Sequence, residues 1–311
     1  MVPIDQTVLH DGAIRYSIDM RIDGRPLRVM LDSGSTGLRL MPRAVARLGL
    51  KTGDLRKYAF SSGVALWGST VRVQAAIGAS AAAAVPAQAV DLVTCEPRRP
   101  DCPASWQMSA GFRIGADDPD EVVSRGFLAI LGVGLQPADL PNPLAIIGGG
   151  RWVIDLPLPG DRHPGRLVLD PAEQELGSYE TFPLEPTAGR VAGWQDTIPG
   201  CLLRKENRDA ICGRMLLDTG STGFQVLSPR LYGPARWPAG SRVELVFRPK
   251  GGSGVGFEFR SGRLSAATVS MDSVNPGRNA DPPPIDCGVM PYYYFSVAYD
   301  DVTGAIGLKA R

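Results

Sequence analysis

Leu217-Asp218-Thr219-Gly220-Ser221-Thr222-Gly223 repeats, with one change, the earlier stretch Leu31-Asp32-Ser33-Gly34-Ser35-Thr36-Gly37. The change is Thr for Ser after the aspartate, and the two aspartates stand 186 residues apart. Each copy follows an apolar run, Val29-Met30-Leu31 in the first and Met215-Leu216-Leu217 in the second. Such a run reads as a strand buried on both faces. Each strand delivers a carboxylate into a tight glycine turn whose hydroxyls are placed to hold it. Two such turns, one from each half of a duplicated chain, bring two carboxylates face to face.

The flanking sequence supports strands on both sides of each turn. Arg15 to Ile22 alternates polar and apolar residues, and Asp23-Gly24 is a hairpin turn. Pro42 to Gly49 reads as a short helix, opened by Pro and ended by Gly. Tyr58 to Gln74 reads as an aromatic-flanked hairpin with its tip at Ser61-Ser62-Gly63. The Ala-rich run 79–84 and residues 94–122 read as loop. Phe127 to Gly134 is a buried strand, and residues 152–156, 166–169 and 179–184 are three more.

In the second half, Trp194 to Ile198 leads into a hairpin that ends at Asp218. Val243 to Phe247 and Phe257 to Phe259 alternate as strands, residues 275–284 form a Gly/Pro loop, and residues 294–308 close as a hairpin. The first strand is expected near residue 13, which leaves little room for a pro-segment. The reading is an all-β chain of two lobes joined near residues 175–190. Residues 1–183 carry the first aspartate and 184–311 the second.

The totals agree with this reading. A chain of 311 residues is long enough for two domains or one large one, its 44% hydrophobic content can bury a sizeable core, and 37 Gly with 27 Pro suit many short strands and turns. With 33 basic and 32 acidic residues, the chain shows neither the basic excess of a nucleic-acid binder nor the acidic excess of a disordered one. No apolar run is long enough for a membrane helix. The N-terminus lacks the basic start and apolar core of a signal peptide, so either the protein stays inside the cell or a leader has been removed.

Cys95 with Cys102, and Cys201 with Cys212, are spaced to pair, which leaves Cys287 alone. Two local pairs point to a periplasmic or secreted protein; five free thiols in a cytoplasmic one is the alternative. His10 and His163 lie in polar or Pro-rich loops and are expected to be neither ligands nor bases. No metal-ligand spacing and no phosphate-binding loop is present in the sequence, so no metal and no cofactor is expected.

Two carboxylates within hydrogen-bonding reach cannot both ionise cheaply, so the pair shares a proton. The ionised member can activate a water and the protonated one can polarise a carbonyl. Gly34 and Gly220 allow close backbone approach. Ser35 and Ser221 are placed to donate to the outer carboxylate oxygens, and Ser33 and Thr219 to brace the turns against each other.

From about Tyr16 to Leu308 the chain resembles the pepsin-like aspartic proteases. The Asp32 and Asp218 turns resemble that family's paired catalytic motifs. Tyr58 with Ser62 and Gly63 resembles its flap, the hairpin that closes over substrate. Ile130-Leu131-Gly132 resembles the element that crosses behind the first aspartate, and Cys212 resembles half of a disulfide found there. The resemblance implies a monomeric, bilobal aspartic endopeptidase with a polypeptide substrate. Three departures point away from digestive pepsins and toward a bacterial branch. Arg39 stands in place of a Trp and is expected to be a solvated surface charge. The flap is slightly shorter. The second crossing element reads Asp286-Cys287-Gly288, with a polar residue in an apolar place. The alternative is a module of the same fold that binds peptides or a protein partner without cleaving. Intact Asp32, Asp218, Ser35 and Ser221 favour the enzyme.

Overall fold

Val29, Met30 and Leu31 lose almost all contact with solvent in the computed structural model, as an unbroken apolar run requires. The structure describes residues 1–9, 12–51, 53–115, 126–187, 193–227, 236–248, 254–272 and 284–311. β1 (Val2–Val8), β2 (Ile14–Ile22) and β3 (Arg25–Asp32) form an antiparallel meander. Asp23 and Gly24 turn the second hairpin with positive φ at both positions, the backbone that two-residue hairpin turns need. β4 (Thr36–Leu40) leaves the Asp32 turn and runs into α1 (Pro42–Leu48), which Gly49 ends in the left-handed conformation. β5 (Arg56–Ala59), β6 (Val64–Ile77) and β7 (Ala83–Cys95) are antiparallel neighbours. β8 (Ala129–Val133) is buried at every position.

β9 (Arg151–Asp155), β10 (Gly165–Leu169) and β11 (Glu180–Pro183) complete the first half. β12 (Pro186–Thr187) and β13 (Gly193–Trp194) make a small separate pair. The second half holds β14 (Ile198–Arg204), β15 (Asp209–Leu216), β16 (Phe224–Leu227), β17 (Arg242–Phe247) and β18 (Val255–Arg260). It ends with β19 (Val269–Asp272), β20 (Ile285–Asp286), β21 (Phe295–Asp300) and β22 (Ala305–Ala310). The chain is all-β with a few short helices.

The strand order repeats. β8 runs parallel to β3 and antiparallel to β4, and so fills the gap behind the Asp32 turn. β20 does the same between β15 and β16, behind Asp218. The order β2-β3-β8-β4-β7 in one sheet therefore matches β14-β15-β20-β16-β19 in the other. β21 and β22, from the end of the chain, pair with β9 and β11 and so join the sheet that carries Asp32.

Two local expectations fail. A strand already forms at residues 2–8, its Val2 and Ile4 buried although Pro3 interrupts the pattern. The Ala-rich run is loop only as far as β7, which begins at Ala83 because pairing with β6 overrides its weak strand propensity. The expected hairpin with its tip at Ser61-Ser62-Gly63 forms, as short β5 against long β6, and a register irregularity at Trp67/Gly68 lies in the β6–β7 pairing. Residues 116–122 and most of the 275–284 loop lie outside the described residues, as does His10. Both cysteine pairs are disulfides. Cys201 and Cys212 face each other across the β14–β15 hairpin, and Cys95–Cys102 closes the loop after β7. Cys287 is a buried free thiol.

One buried carboxyl links fold and pH. Asp196 accepts from Leu135 N at 2.6 Å, yet burial pushes its carboxyl up to about 7. An unfolded Asp titrates near ~3.9. Between those values the folded state holds a proton that the unfolded state has released. The contribution to stability is therefore complete below about pH 4 and is lost as pH rises to about 7, on the order of 4 kcal/mol in total. The melting temperature should fall across that window, and Asp196→Asn should flatten the fall. A wild-type melting temperature that climbs from pH 4 to 7 would contradict this.

Candidate active site

Asp32 is the last residue of β3, and Asp218 follows β15 by two residues, so both carboxylates are carried by rigid strands. Each is held by its own turn. Gly34 N donates to Asp32 Oδ1 at 2.9 Å and Gly220 N to Asp218 Oδ1 at 2.7 Å. Ser35 Oγ donates to the other Asp32 oxygen at 2.5 Å. Ser221 departs from its expected part: its half-exposed hydroxyl donates to Gly223 O at 3.4 Å instead of to Asp218. A carbonyl two residues along its own turn satisfies it first.

The turns are tied to each other by fully buried hydroxyls. Ser33 N donates to Thr219 Oγ1 at 3.1 Å, and Thr219 N donates to Ser33 Oγ at 2.9 Å. Thr219 Oγ1 also donates to Leu31 O at 2.8 Å, and Ser33 Oγ lies 2.8 Å from Leu217 O. Behind this brace, Tyr292 shares its hydroxyl with Ser33 Oγ at 2.7 Å and with the Tyr299 hydroxyl at 2.6 Å. β21, near the end of the chain, is thus wired through Tyr299 to the base of the site. Sequence reading did not anticipate Tyr292 and Tyr299; the Tyr292-Tyr293-Tyr294 run was the available signal.

The two carboxyls converge on one point: a Cβ added at Gly220 would lie 2.6 Å from Asp32 Oδ1 and 3.1 Å from Asp218 Oδ1. Burial first, then the negative charges of Asp286 and Asp32, hold the Asp218 carboxyl well above the ordinary carboxylate range. Asp286 is itself buried, with Oδ1 accepting from Gly288 N at 2.8 Å.

Tyr58 on β5 and the Ser61-Ser62-Gly63 tip cover one side of a cleft of about 670 Å³ between the turns. Tyr58, Ser61 and Ser62 line it. Gly63 sits behind the tip, its carbonyl accepting from Glu96 N at 2.7 Å. The Tyr58 hydroxyl lies alongside Ser35, and burial raises its pKa. Met30, Phe112, Ile114 and Ile130 make an apolar wall. Arg99, from the Cys95–Cys102 loop, pairs with Asp272 on β19 across the cleft.

Arg39 is not a surface charge. It is 1% exposed, and its guanidinium carbon stands 3.4 Å from the centre of the Tyr58 ring. The reason is local: the Tyr58 ring covers it, and Nη1 donates to Thr36 O at 2.9 Å. His163 is exposed and does not line this cleft. Among the described residues no three His, Cys, Asp or Glu side chains converge as a metal-binding group.

Residues 18–104 match the model of a family described as aspartyl protease. The match spans Asp32, Tyr58 and the first disulfide, stops well short of Asp218, and supports protease activity for the chain. No curated protein matches it.

Proposed function

We propose that the chain is a bilobal aspartic endopeptidase, with residues 1–183 and 184–311 as its lobes, that hydrolyses an extended polypeptide in the cleft. The observation that carries this reading is the reciprocal Ser33–Thr219 brace, which presents two carboxyls to one space. A water held between Asp32 and Asp218 gives its proton to the ionised carboxylate. The protonated carboxyl donates to the substrate carbonyl oxygen, so the water oxygen adds to carbon and a tetrahedral intermediate forms. Proton return to the nitrogen then breaks the C–N bond. The β5–β6 hairpin offers backbone groups to a peptide laid beside it. The two disulfides support a periplasmic or secreted setting, and the enzyme acts as a monomer because one chain supplies both aspartates.

The test is cleavage of an unfolded protein, blocked by a statine-type peptide inhibitor. Inhibitor or peptide binding with no cleavage at any pH would replace the enzyme by a peptide-binding module.

The flap assignment has its own test. Tyr58→Ala should lower kcat/KM by about tenfold or more, since it removes the cover over the carboxylates. The fall in melting temperature should be modest, since Tyr58 is itself half-buried, and should come from uncovering the Arg39 guanidinium. A collapse in stability would make Tyr58 a core residue instead.

A further inference from the structure

Besides the dyad, the charged residues that line the cleft, among the described residues, are Arg15, Arg99, Asp272 and Asp286. Arg15 stands by Met30 on the apolar wall, and Asp286 accepts from Gly288 N behind Asp218. Arg99 and Asp272 differ from these. They come from opposite halves of the chain and form an ion pair with each other across the cleft. A peptide laid between the walls meets this pair.

The two partners are not equally held. Asp272 ends β19, which pairs in parallel with β16, so a sheet carries its carboxylate. Its side chain is 10% exposed. Arg99 sits in the loop that the Cys95–Cys102 disulfide closes. Its backbone is fixed by turns: Arg99 N donates to Glu96 O at 2.8 Å, and its carbonyl accepts from Cys102 N at 3.1 Å. The flap tip rests on it, since a Cβ added at Gly63 would lie 2.4 Å from Arg99 Cβ. Beyond that anchored Cβ the long side chain is 30% exposed, and rotation about its own bonds turns it out to water.

This asymmetry decides which charge an incoming peptide can bring. If a substrate carboxylate takes Arg99, the nearly buried Asp272 loses the guanidinium that faces it, and removing one partner of a buried ion pair is strongly unfavourable. If a substrate ammonium or guanidinium takes Asp272, Arg99 is released toward water, the ordinary setting of an arginine head. We infer that Asp272 selects a lysine or arginine side chain in the substrate, and that Arg99 is the placeholder which this side chain displaces. Successive side chains of an extended peptide point to opposite sides. The neighbour of the basic residue therefore faces the wall of Met30, Phe112, Ile114 and Ile130, so the recognised segment joins a basic residue to an apolar one. The inference rests on the peptidase reading of the cleft.

The first measurement is kcat/KM on peptides that carry lysine, norleucine or glutamate at each position in turn around one cleavable bond. At one position wild type should favour lysine over norleucine by about tenfold or more, with glutamate the poorest. Asp272→Asn should cut that lysine-to-norleucine ratio by about tenfold, and Asp272→Glu, which keeps the charge, should retain most of it. Arg99→Ala removes the placeholder, so it should lower KM for the lysine peptide and keep the preference. A wild type with no basic preference, a preference for glutamate, or a lysine preference that survives Asp272→Asn intact overturns the inference. The second measurement needs no cleavage. Statine-type peptide inhibitors bearing lysine or norleucine at the same positions are titrated calorimetrically into wild type and Asp272→Asn. The lysine form should bind about tenfold tighter to wild type and lose that advantage in Asp272→Asn. That result from a protein that cleaves nothing would refute the peptidase reading alone. Equal binding of the two forms, or no binding of either, overturns the inference even if wild type cleaves peptides.

Discussion

Replacing Asp32 or Asp218 by Asn should reduce peptide cleavage by about 10⁴-fold, and replacing both should cost little more than either. Neither carboxylate can take the water's proton and also donate to the carbonyl, so each single loss removes the same step. The folded state should survive, because the brace uses Ser33 and Thr219 and not the carboxylates. Asp218→Asn should even stabilise the protein toward neutral pH. The folded Asp218 carboxyl is held above its ordinary range, so the wild type loses stability as pH rises through that folded value. An amide has no proton to lose and escapes that loss. Melting curves at acid and neutral pH separate this from an inactive, unfolded variant. Cleavage at the wild-type rate by either variant would end the enzyme reading.

Gly34→Ala should also be damaging, by roughly 10²-fold, although it alters neither carboxylate chemically. A Cβ at Gly34 would overlap the Asp218 carboxyl group. The backbone cannot retreat: Gly34 N is bound to Asp32, Gly34 O accepts from Gln136 Nε2 at 2.6 Å, and the preceding residue is tied to Thr219. The carboxyl must move instead, and a misplacement of about 1 Å costs roughly 10²-fold in rate. Gly220→Ala should behave alike, since its Cβ would lie 2.6 Å from Asp32 Oδ1. Gly177→Ala is the control, because an added Cβ there meets nothing nearer than 3.6 Å. Activity retained by Gly34→Ala would mean that the turns do not face each other as closely as described.

The aspartate turns were legible in the sequence because their information is local. An apolar run, an acid, and a glycine flanked by hydroxyls determine a buried strand and a held carboxylate within a few residues. The helix from Pro42 and the hairpin at Asp23-Gly24 were legible for the same reason, since each is specified by its own end residues. Arg39 was not. Taken alone, a charge next to a turn reads as solvated, and only the Tyr58 ring laid over it makes it buried. Ser221 shows the converse: an identical motif letter leads to a different hydrogen bond, because its hydroxyl is half-exposed where Ser35 is buried. The Tyr292–Tyr299 support joins residues to Ser33 across most of the chain, and the tyrosine run that marks it does not say what it meets. Asp286 was visible as an anomaly, but its meaning depends on β20 lying directly behind Asp218.

The central claim is that Asp32 and Asp218 act as one proton-sharing unit, and kcat/KM of the wild type against pH tests it most directly. The account predicts a bell. Its acid limb marks loss of the single carboxylate, and its alkaline limb marks loss of the shared proton from the buried Asp218 side. Both limbs should vanish together with activity in Asp218→Asn. A profile with only one limb, or one that stays flat up to the range where tyrosine and lysine titrate, would contradict a mechanism built on two carboxyls and one proton.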